Sequence, residues 1–438
     1  MNDPVTIALI ASLIVVVLML MRVPIAIALG GVAVLGFGFM VDFEAAIGLL
    51  IDSPIRTITN FNFSVIPMFV LMGVLVSAGG MSRELFRAAN AWVGHFPGGM
   101  AMATILACGG FAAINGSSIA TAATMTNVAL PEMRRVGYNP GLSAGIIASG
   151  GTLGIMIPPS VMFILYAIIT ENDVATLFLA GIIPGLISIV LYCITVQVLY
   201  RFKKDWMPRS QAANRKERWD SLKDVWATVL LFVLVMGGIY GGFVTITEAA
   251  GLGVLGALGI SFARKRLTWK VTVDALVESL RNSAAIFFIL VAAFLFQFFL
   301  AVTQAPQLLA GFLGSLDIGP TGVIILIMIF YILAGMFVDG LAVILLTIPI
   351  FYPVVLDLGF DPIWFGVLVV MTVEIGLISP PIGMICFIMN NMVRDIGLVN
   401  IYKGVLPFMA ADFVRLSLLV SFPALALWIP NTIGWAAK

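Results

Sequence analysis

Asp339 and Glu374 are acids embedded in apolar sequence, and no Lys or Arg occurs from Asn282 to Val393. An ionisable group at membrane depth costs at least ~2.5 kcal/mol and marks a functional site by default. With no cationic side chain nearby in its own half of the chain, each acid has a bound cation as its natural counter-charge. Three other constellations accompany these acids. Asn115-Gly116-Ser117-Ser118 interrupts the apolar stretch Met100–Met133. Gly150-Gly151-Thr152-Leu153-Gly154 runs toward Pro158-Pro159, and Gly376 runs toward Pro380-Pro381. Gly weakens a helix and Pro removes a donor, so neither segment reads as a continuous helix. Non-helical backbone at membrane depth must be satisfied by protein, water or ligand. Free carbonyl and hydroxyl oxygens there suit Na⁺, and half-helix N-termini suit an anion. A single Gly/Pro interruption is commonly only a kink between packed helices. Two at equivalent positions, each beside a broken hairpin, point to an ion and anion site.

The rest of the chain offers no competing chemistry. It has no nucleophile–base–acid constellation, no P-loop and no His-Glu-x-x-His pattern, which argues against an enzyme and against direct use of ATP. Cys108, Cys193 and Cys386 lie far apart in apolar stretches, without metal or disulfide spacing, and read as buried small hydrophobes. The one histidine, His95, stands beside Pro97-Gly98-Gly99 with no acid near it in sequence. No cofactor is implied.

The surrounding sequence is that of a membrane protein. Of 438 residues 61% are hydrophobic and 10% charged, with mean hydropathy +1.12, against roughly 25% charged in soluble domains. Such a chain has an exterior suited to lipid. Its near-neutral net charge gives no reason to expect nucleic acid as a partner. The N-terminal run Val5–Met21 is too long for a signal peptide core. Asn2 and Asp3 replace a basic leader and no small-residue cleavage site follows, so it reads as a first spanning helix.

The halves repeat. Pro131, Gly137, Tyr138 and Pro140 are answered by Pro353, Gly359, Phe360 and Pro362, and Gly154 with Pro158-Pro159 by Gly376 with Pro380-Pro381. The interval is constant at 222 residues (131 to 353, 159 to 381). At the same interval Asp339 matches Ser117 and Glu374 matches Thr152. Duplicated halves with interrupted helices are a known plan for secondary transporters.

Charge bias sets the orientation. Arg201–Asp224 carries eight basic residues and reads as cytoplasmic, as does Arg264–Lys270 two apolar runs later. With an outside N-terminus, Arg22 falls inside, and Asp42, Glu44 and Asp52 fall in an outer loop. Helix Phe61–Ala78 then brings Arg83 and Arg87 in. The stretch 100–133 divides into arms of about 15 residues, roughly 22 Å of helix, short of the ~30 Å hydrocarbon core. As a re-entrant hairpin it returns Arg134-Arg135 to the cytoplasm; as one span it would put the basic loop outside. In the second half, Asp317, Asp357 and Asp361 fall outside, Arg394 and Lys403 inside, and Arg415 and Lys438 sit awkwardly. The expected architecture is an all-α polytopic membrane protein of two inverted repeats, each with a re-entrant hairpin and a discontinuous helix. Residues 1–200 form the first repeat, with a hairpin at about 100–133 and a broken helix at about 141–171. Residues 201–224 are a cytoplasmic basic linker. Residues 225–404 form the second repeat, with a hairpin at about 321–355 and a broken helix at about 363–393, and 405–438 a C-terminal helix.

Specific strings carry a family resemblance. Gly116-Ser117-Ser118, Pro131-Glu132-Met133, Gly154-Ile155-Met156-Ile157-Pro158-Pro159-Ser160, Phe178–Gly185, Thr247-Glu248-Ala249-Ala250 and Glu374-Ile375-Gly376 with Pro380-Pro381-Ile382-Gly383 together resemble the large membrane subunit (DctM type) of tripartite ATP-independent periplasmic (TRAP) transporters. The likeness spans nearly the whole chain. It implies an elevator-type, Na⁺-driven importer in the bacterial inner membrane. It also implies a periplasmic substrate-binding protein and a small four-helix membrane subunit as partners. The substrate would be a carboxylate such as a C4-dicarboxylate, sialic acid or another sugar acid. A cation would lie at Ser117 and Ser118 with Gly151, Thr152 and Gly154, and another at Asp339 and Gly340 with Thr372, Glu374 and Gly376. Substrate contacts are expected at Asn115, Ser117, Pro158, Asp339 and Pro380.

A stand-alone Na⁺- or H⁺-coupled di- or tricarboxylate symporter is the other reading. An embedded enzyme would need clustered catalytic groups, and a passive channel has little use for closed ion sites. The topology has a direct check. In a background free of reactive cysteines, single cysteines in Arg201–Asp224 should react only from the cytoplasmic side and one at Gly319 only from the opposite side. Labelling of both from one side would sink the inverted arrangement.

Overall fold

Apolar runs bounded by capping residues, Gly and Pro fold into helices throughout. The computed structural model describes residues 4–21, 23–210, 212–315 and 318–433, and no strand occurs among them. Asn2, Asp3, Arg22, Asp317 and Lys438, used above in counting charge, lie outside the described residues. The first half comprises α1 (Pro4–Leu20), α2 (Ile25–Met40), α3 (Phe43–Thr59), α4 (Val65–Ala78), α5 (Met81–Val93), α6 (Gly99–Asn115), α7 (Ser118–Val136), α8 (Pro140–Met156), α9 (Val161–Thr170) and α10 (Val174–Phe202). The second comprises α11 (Arg215–Tyr240), α12 (Ile246–Ala263), α13 (Trp269–Thr303), α14 (Ala305–Ser315), α15 (Gly319–Phe337), α16 (Gly340–Asp357), α17 (Pro362–Ile378), α18 (Met384–Met392), α19 (Leu398–Ser421) and α20 (Ala424–Ile433). Among the described residues nine helical stretches are long and apolar enough to cross a membrane. The chain is a multi-pass membrane protein.

The 222-residue repeat has a backbone counterpart. The helix ending at Val136 closes on Gly137, with φ +91°, and the one ending near Asp357 closes at Gly359, with φ +78°. Both glycines occupy the left-handed region that stops a helix without a Cβ penalty. In each case the next residue's amide reaches back five positions, Tyr138 to the Met133 carbonyl and Phe360 to that of Val355. Then follow a side-chain cap and a proline in the first turn: Asn139 accepts from the Leu142 amide, and Asp361 from Ile363 and Trp364. The X-Pro bonds Pro158-Pro159 and Pro380-Pro381 are both cis.

Contacts join loops that the charge count puts on the same face. Glu84 on α5 takes Arg264 and Arg266, each at 2.6 Å, and Arg134 pairs with Asp395 at 2.8 Å. At the other end Tyr166 donates to the Pro362 carbonyl and the Asn172 amide to Tyr352.

Several boundaries differ from expectation. The segment holding Asp42, Glu44 and Asp52 is not a loop but α3, because Asp42 caps it by accepting from the Glu44 and Ala45 amides and Arg56 pairs with Asp52 one turn away. The basic linker is partly helical, since Asn214 and Glu217 form a reciprocal capping box that starts α11. The hairpin arms are 17 and 19 residues in the first half and 19 and 18 in the second, longer than the expected 15. Left-handed Gly98 and Gly319 start α6 and α15 earlier than the apolar runs suggest. α15 and α16 are each long and apolar enough to cross a membrane. The final helix begins at Leu398 rather than Val405, and Phe422-Pro423 divides it, proline being unable to supply a helix-interior donor.

α8 and α17 hold the interior. Every residue from Gly141 to Met156 and from Ile363 to Ile378 is buried. The first hairpin and α19 wrap α8, and α15 packs along α17, while α2 and α4 pack on α13 and α12 packs on α4. At the α8–α19 crossing two glycines meet backbone to backbone. A methyl group on Gly145 would come within 2.2 Å of the Gly404 carbonyl carbon, and one on Gly404 within 2.1 Å of the Gly141 oxygen. Gly145→Ala should therefore push the helices apart and cost about 1–3 kcal/mol, whereas Gly259→Ala, with nothing within 4 Å, should be neutral. Thermal melting of the purified protein checks the contrast.

Candidate functional site

The tip of the first hairpin is built by two residues with opposite demands. Gly116 turns the chain with φ +64°, and Ser117 in extended conformation caps α7 by accepting from the Ala120 amide. Gly116 also lies so close to the helix break that a methyl group on it would stand 2.7 Å from the Pro159 carbonyl. In the second half Asp339 takes the place of Ser117 and caps α16, accepting from the Leu341 amide at 3.0 Å. The interval between the halves thus pairs two N-caps, one neutral and one acidic.

The glycine clusters do not break their helices. α8 runs through Gly150, Gly151 and Gly154 to Met156, and α17 through Gly376 to Ile378. The interruption comes later, at Ile157–Ser160 and Ser379–Gly383, where the prolines withhold donors. What the glycines provide is clearance. A methyl group on Gly151 would sit 2.7 Å from the Ala122 Cβ, and one on Gly154 2.7 Å from the Ser117 carbonyl oxygen. Gly376 makes the same allowance for α15, where the Ile332 oxygen would be 2.7 Å away. Gly340 nests against Met162 of α9 and Val373 of α17.

This close approach joins the halves. The Ser118 hydroxyl donates to Glu374 Oε2 at 2.7 Å and lies 3.5 Å from the Thr152 carbonyl. Glu374 is 0% exposed, and Asp339, Asp412 and Arg415 all lie within its electrostatic range. Sequence reasoning assigned Ser118 and Glu374 to separate cation sites; the structure places them in one cluster. Arg415, on α19 outside the stretch without basic residues, pairs with Asp412. Thr372 turns back on its own helix, donating to the Leu368 and Val369 carbonyls. Asn115 donates to the Ser117 carbonyl and to Thr121, stiffening the hairpin tip.

Beyond Thr152 runs a chain of buried polar groups that sequence reasoning missed. The Thr152 hydroxyl donates to the Ser149 carbonyl and stands 3.3 Å from the Tyr192 hydroxyl. Tyr192 donates to Asp412, and Asp412 pairs with Arg415 at 2.9 Å. Arg415 also bonds Ser188. The signal was present: an acid and a base three residues apart inside an apolar helix face the same way and mark a site.

A cavity of about 720 Å³ opens in front of the hairpin tips. Asn115, Ser117, Ser118 and Asp339 line it, with Ser77 and Thr124 beside them and Asp274, Glu278 and Asn282 across it on α13. Pro158 is buried and Pro380 half-buried in the two helix breaks, outside the lining of this cavity. Among the described residues no Lys or Arg lines it. Three helix N-termini border it instead, those of α7 at Ser118, α9 at Val161 and Met162, and α16 at Leu341.

A family model described as "Tripartite ATP-independent periplasmic transporter, DctM component" matches residues 12–425. The chain belongs to this family. It is therefore a TRAP transporter large permease and not an enzyme. Among its relatives, the C4-dicarboxylate TRAP transporter large permease DctM of Pseudomonas aeruginosa is 36% identical over 86% of this chain and 88% of its own length. The sialic acid TRAP large permease SiaM of Vibrio cholerae is 32% identical over 85% and 87%, and the ectoine TRAP large permease TeaC of Halomonas elongata 32% over 94% and 96%. The crystal structure of the Alcanivorax borkumensis YdaH transporter shares the fold, with TM-score 0.63 over 89% of this chain and 90% of that one at 16% identity.

In this TRAP permease, Ser118 and Ser117 are neighbours with different duties. Ser117→Ala loses a helix cap worth ~1 kcal/mol. Ser118→Ala takes the donor away from a buried carboxylate, a bond worth ~1.5–3 kcal/mol. Uptake in reconstituted vesicles should fall at least about tenfold for Ser118→Ala and several-fold less for Ser117→Ala. Equal effects would contradict the assignment of Ser118 to Glu374.

Proposed function

We propose that this permease is the transport-carrying subunit of a Na⁺-coupled importer of a small carboxylate-bearing organic anion across the bacterial inner membrane. A periplasmic binding protein delivers the substrate, and a small four-helix membrane subunit completes the assembly. The observation that carries this reading is the combination of three helix N-termini and the acid Asp339 at the hairpin tips of a cavity that has Asp274 and Glu278 on its far wall and, among the described residues, no basic side chain in its lining. A helix N-terminus bears roughly half a positive charge and free amides, so three of them suit a carboxylate. Asp339 would repel the same carboxylate unless a cation stood with it. Binding anion and cation together makes each depend on the other, which is the physical basis of symport. The printed names of the relatives span C4-dicarboxylate, sialic acid and ectoine, so the family leaves the particular substrate open.

In this reading one cation is held by Ser117, Ser118, Gly151, Thr152 and Gly154, the other by Asp339, Gly340, Thr372, Glu374 and Gly376. Hydroxyls and backbone carbonyls serve the first; carboxylates assist the second. The fully buried α8 and α17, with the hairpins packed on them, form a unit that can move as one body against the layer around α4 and α13, the motion an elevator mechanism requires. The cavity lies between the two, and α13 lines its far wall just beyond the basic cluster ending at Lys270. That cluster is assigned to the cytoplasm, so the cavity faces inward.

Asp339→Asn keeps the shape at the hairpin tip and removes the charge. Uptake measured with binding protein and small subunit present should then need at least about tenfold more Na⁺ for half-saturation, equivalent to about 1.4 kcal/mol. Unchanged Na⁺ dependence would make the acid structural. Uptake of free substrate by the permease alone would favour a stand-alone symporter.

A further inference from the structure

Glu374 and the hairpin tips account for only part of the buried polar chain. The remainder, Tyr192 and Ser188 on α10 with Asp412 and Arg415 on α19, lies outside the lining of the cavity at the hairpin tips and is linked to the site through Thr152. Tyr192 is 0% exposed and Asp412 and Arg415 each 1%. Replacing a buried ion pair by apolar residues is often neutral or stabilising, so holding the fold together is a poor reason to keep one. Fixing geometry is a better one. The Asp412 carboxylate receives the Tyr192 proton from 2.8 Å and the Arg415 guanidinium from 2.9 Å, while Arg415 extends to Ser188 one turn from Tyr192. Two rungs thus lock α10 to α19. The Tyr192 hydroxyl stands 3.3 Å from the Thr152 hydroxyl, which itself donates to the Ser149 carbonyl at 2.6 Å. The Thr152 carbonyl, 3.5 Å from Ser118, is the next link. The Gly145–Gly404 contact brings α19 against the same helix that carries Thr152.

We propose that Asp412 and Arg415, acting through Tyr192, are positioning residues that hold the Thr152 turn of α8 and, with it, the first hairpin tip in the geometry that binds the coupling cation. The pair stays fixed on α10 and α19 and sets where the Thr152 carbonyl and the Ser118 hydroxyl point.

The proposal rests on the cation-coupled reading above, and the experiment separates the two. Asp412→Asn strips Arg415 of its partner and is expected to cost folded protein, so the deciding variant is Tyr192→Phe. It keeps the ring that packs edge-on against Phe408 and leaves the Asp412–Arg415 pair intact while cutting its connection to Thr152. The permease is reconstituted with its small subunit and binding protein, and uptake is titrated with Na⁺ and, separately, with a proton gradient. Tyr192→Phe should raise the half-saturating concentration of the cation that drives the wild type about three- to tenfold, the equivalent of one hydrogen bond. Maximal rate should stay near wild type, while the melting temperature falls modestly because the buried Asp412 carboxylate loses the Tyr192 donor. Where Asp412→Asn yields folded protein, combining it with Tyr192→Phe should shift the half-saturation no further than either alone. Unchanged cation half-saturation in Tyr192→Phe overturns the proposal, as does a fall in melting temperature without that shift. Wild-type uptake that follows protons and ignores Na⁺ sinks the sodium reading alone, and the Tyr192→Phe shift is then read on the proton.

Discussion

Nothing in the hydrocarbon region of a bilayer can hydrogen-bond a polar group, so each polar atom at that depth must be satisfied from within the protein or by what the protein binds. This chain accepts that constraint and also violates helical continuity, with broken hairpins at Gly116 and Val338 and broken helices at Pro158-Pro159 and Pro380-Pro381. The breaks are tolerable because they face one another. Ser118 from one hairpin donates to Oε2 of Glu374 from the opposite half. Ser117 and Asp339 cap the arms that follow them. The clustering of irregular backbone, hydroxyls and acids in one region is a consequence of having no solvent to fall back on.

Close approach is the second requirement, and glycine supplies it. A Cβ at Gly116, Gly154 or Gly376 would fall within 2.7 Å of a neighbouring backbone carbonyl oxygen. Only absent side chains let a hairpin tip lie directly on a helix and expose carbonyls within reach of a hydroxyl. Small-residue contacts are how helices associate closely in lipid, where apolar surface alone gives no preference for protein over membrane. Here the same device brings polar atoms together, so packing and chemistry depend on the same residues. Asp412 and Arg415 extend the scheme outward to α10 and α19, tying the cluster to helices remote from the cavity.

Much of this was legible in the sequence, for identifiable reasons. The repeat could be read because Gly137 and Gly359, Pro140 and Pro362 perform local jobs, stopping and starting helices, that depend on residue type alone. Asp339 and Ser117 could be paired because they stand at the same constant interval. The family could be read because its strings run nearly the whole chain. What remained hidden was non-local. Ser118 and Glu374 are 256 positions apart, and nothing in either neighbourhood says that they meet. Gly151 and Gly154 looked like helix breakers because intrinsic propensity favours that reading, yet burial on all sides keeps α8 helical and turns the missing side chains into clearance. Arg415 disturbed the charge count because it is not a loop residue at all; its partner, three positions earlier, keeps it inside.

The central claim is that the two halves share one buried cluster through Ser118 and Glu374. A double-mutant cycle of Ser118→Ala and Glu374→Gln, read on the cation dependence of uptake by the reconstituted transporter, measures that coupling directly. A shared cluster predicts a coupling free energy of about 1–3 kcal/mol between positions in opposite repeats. Additive effects, with no coupling beyond about 0.3–0.5 kcal/mol, would mean that the halves bind independently and would contradict the account.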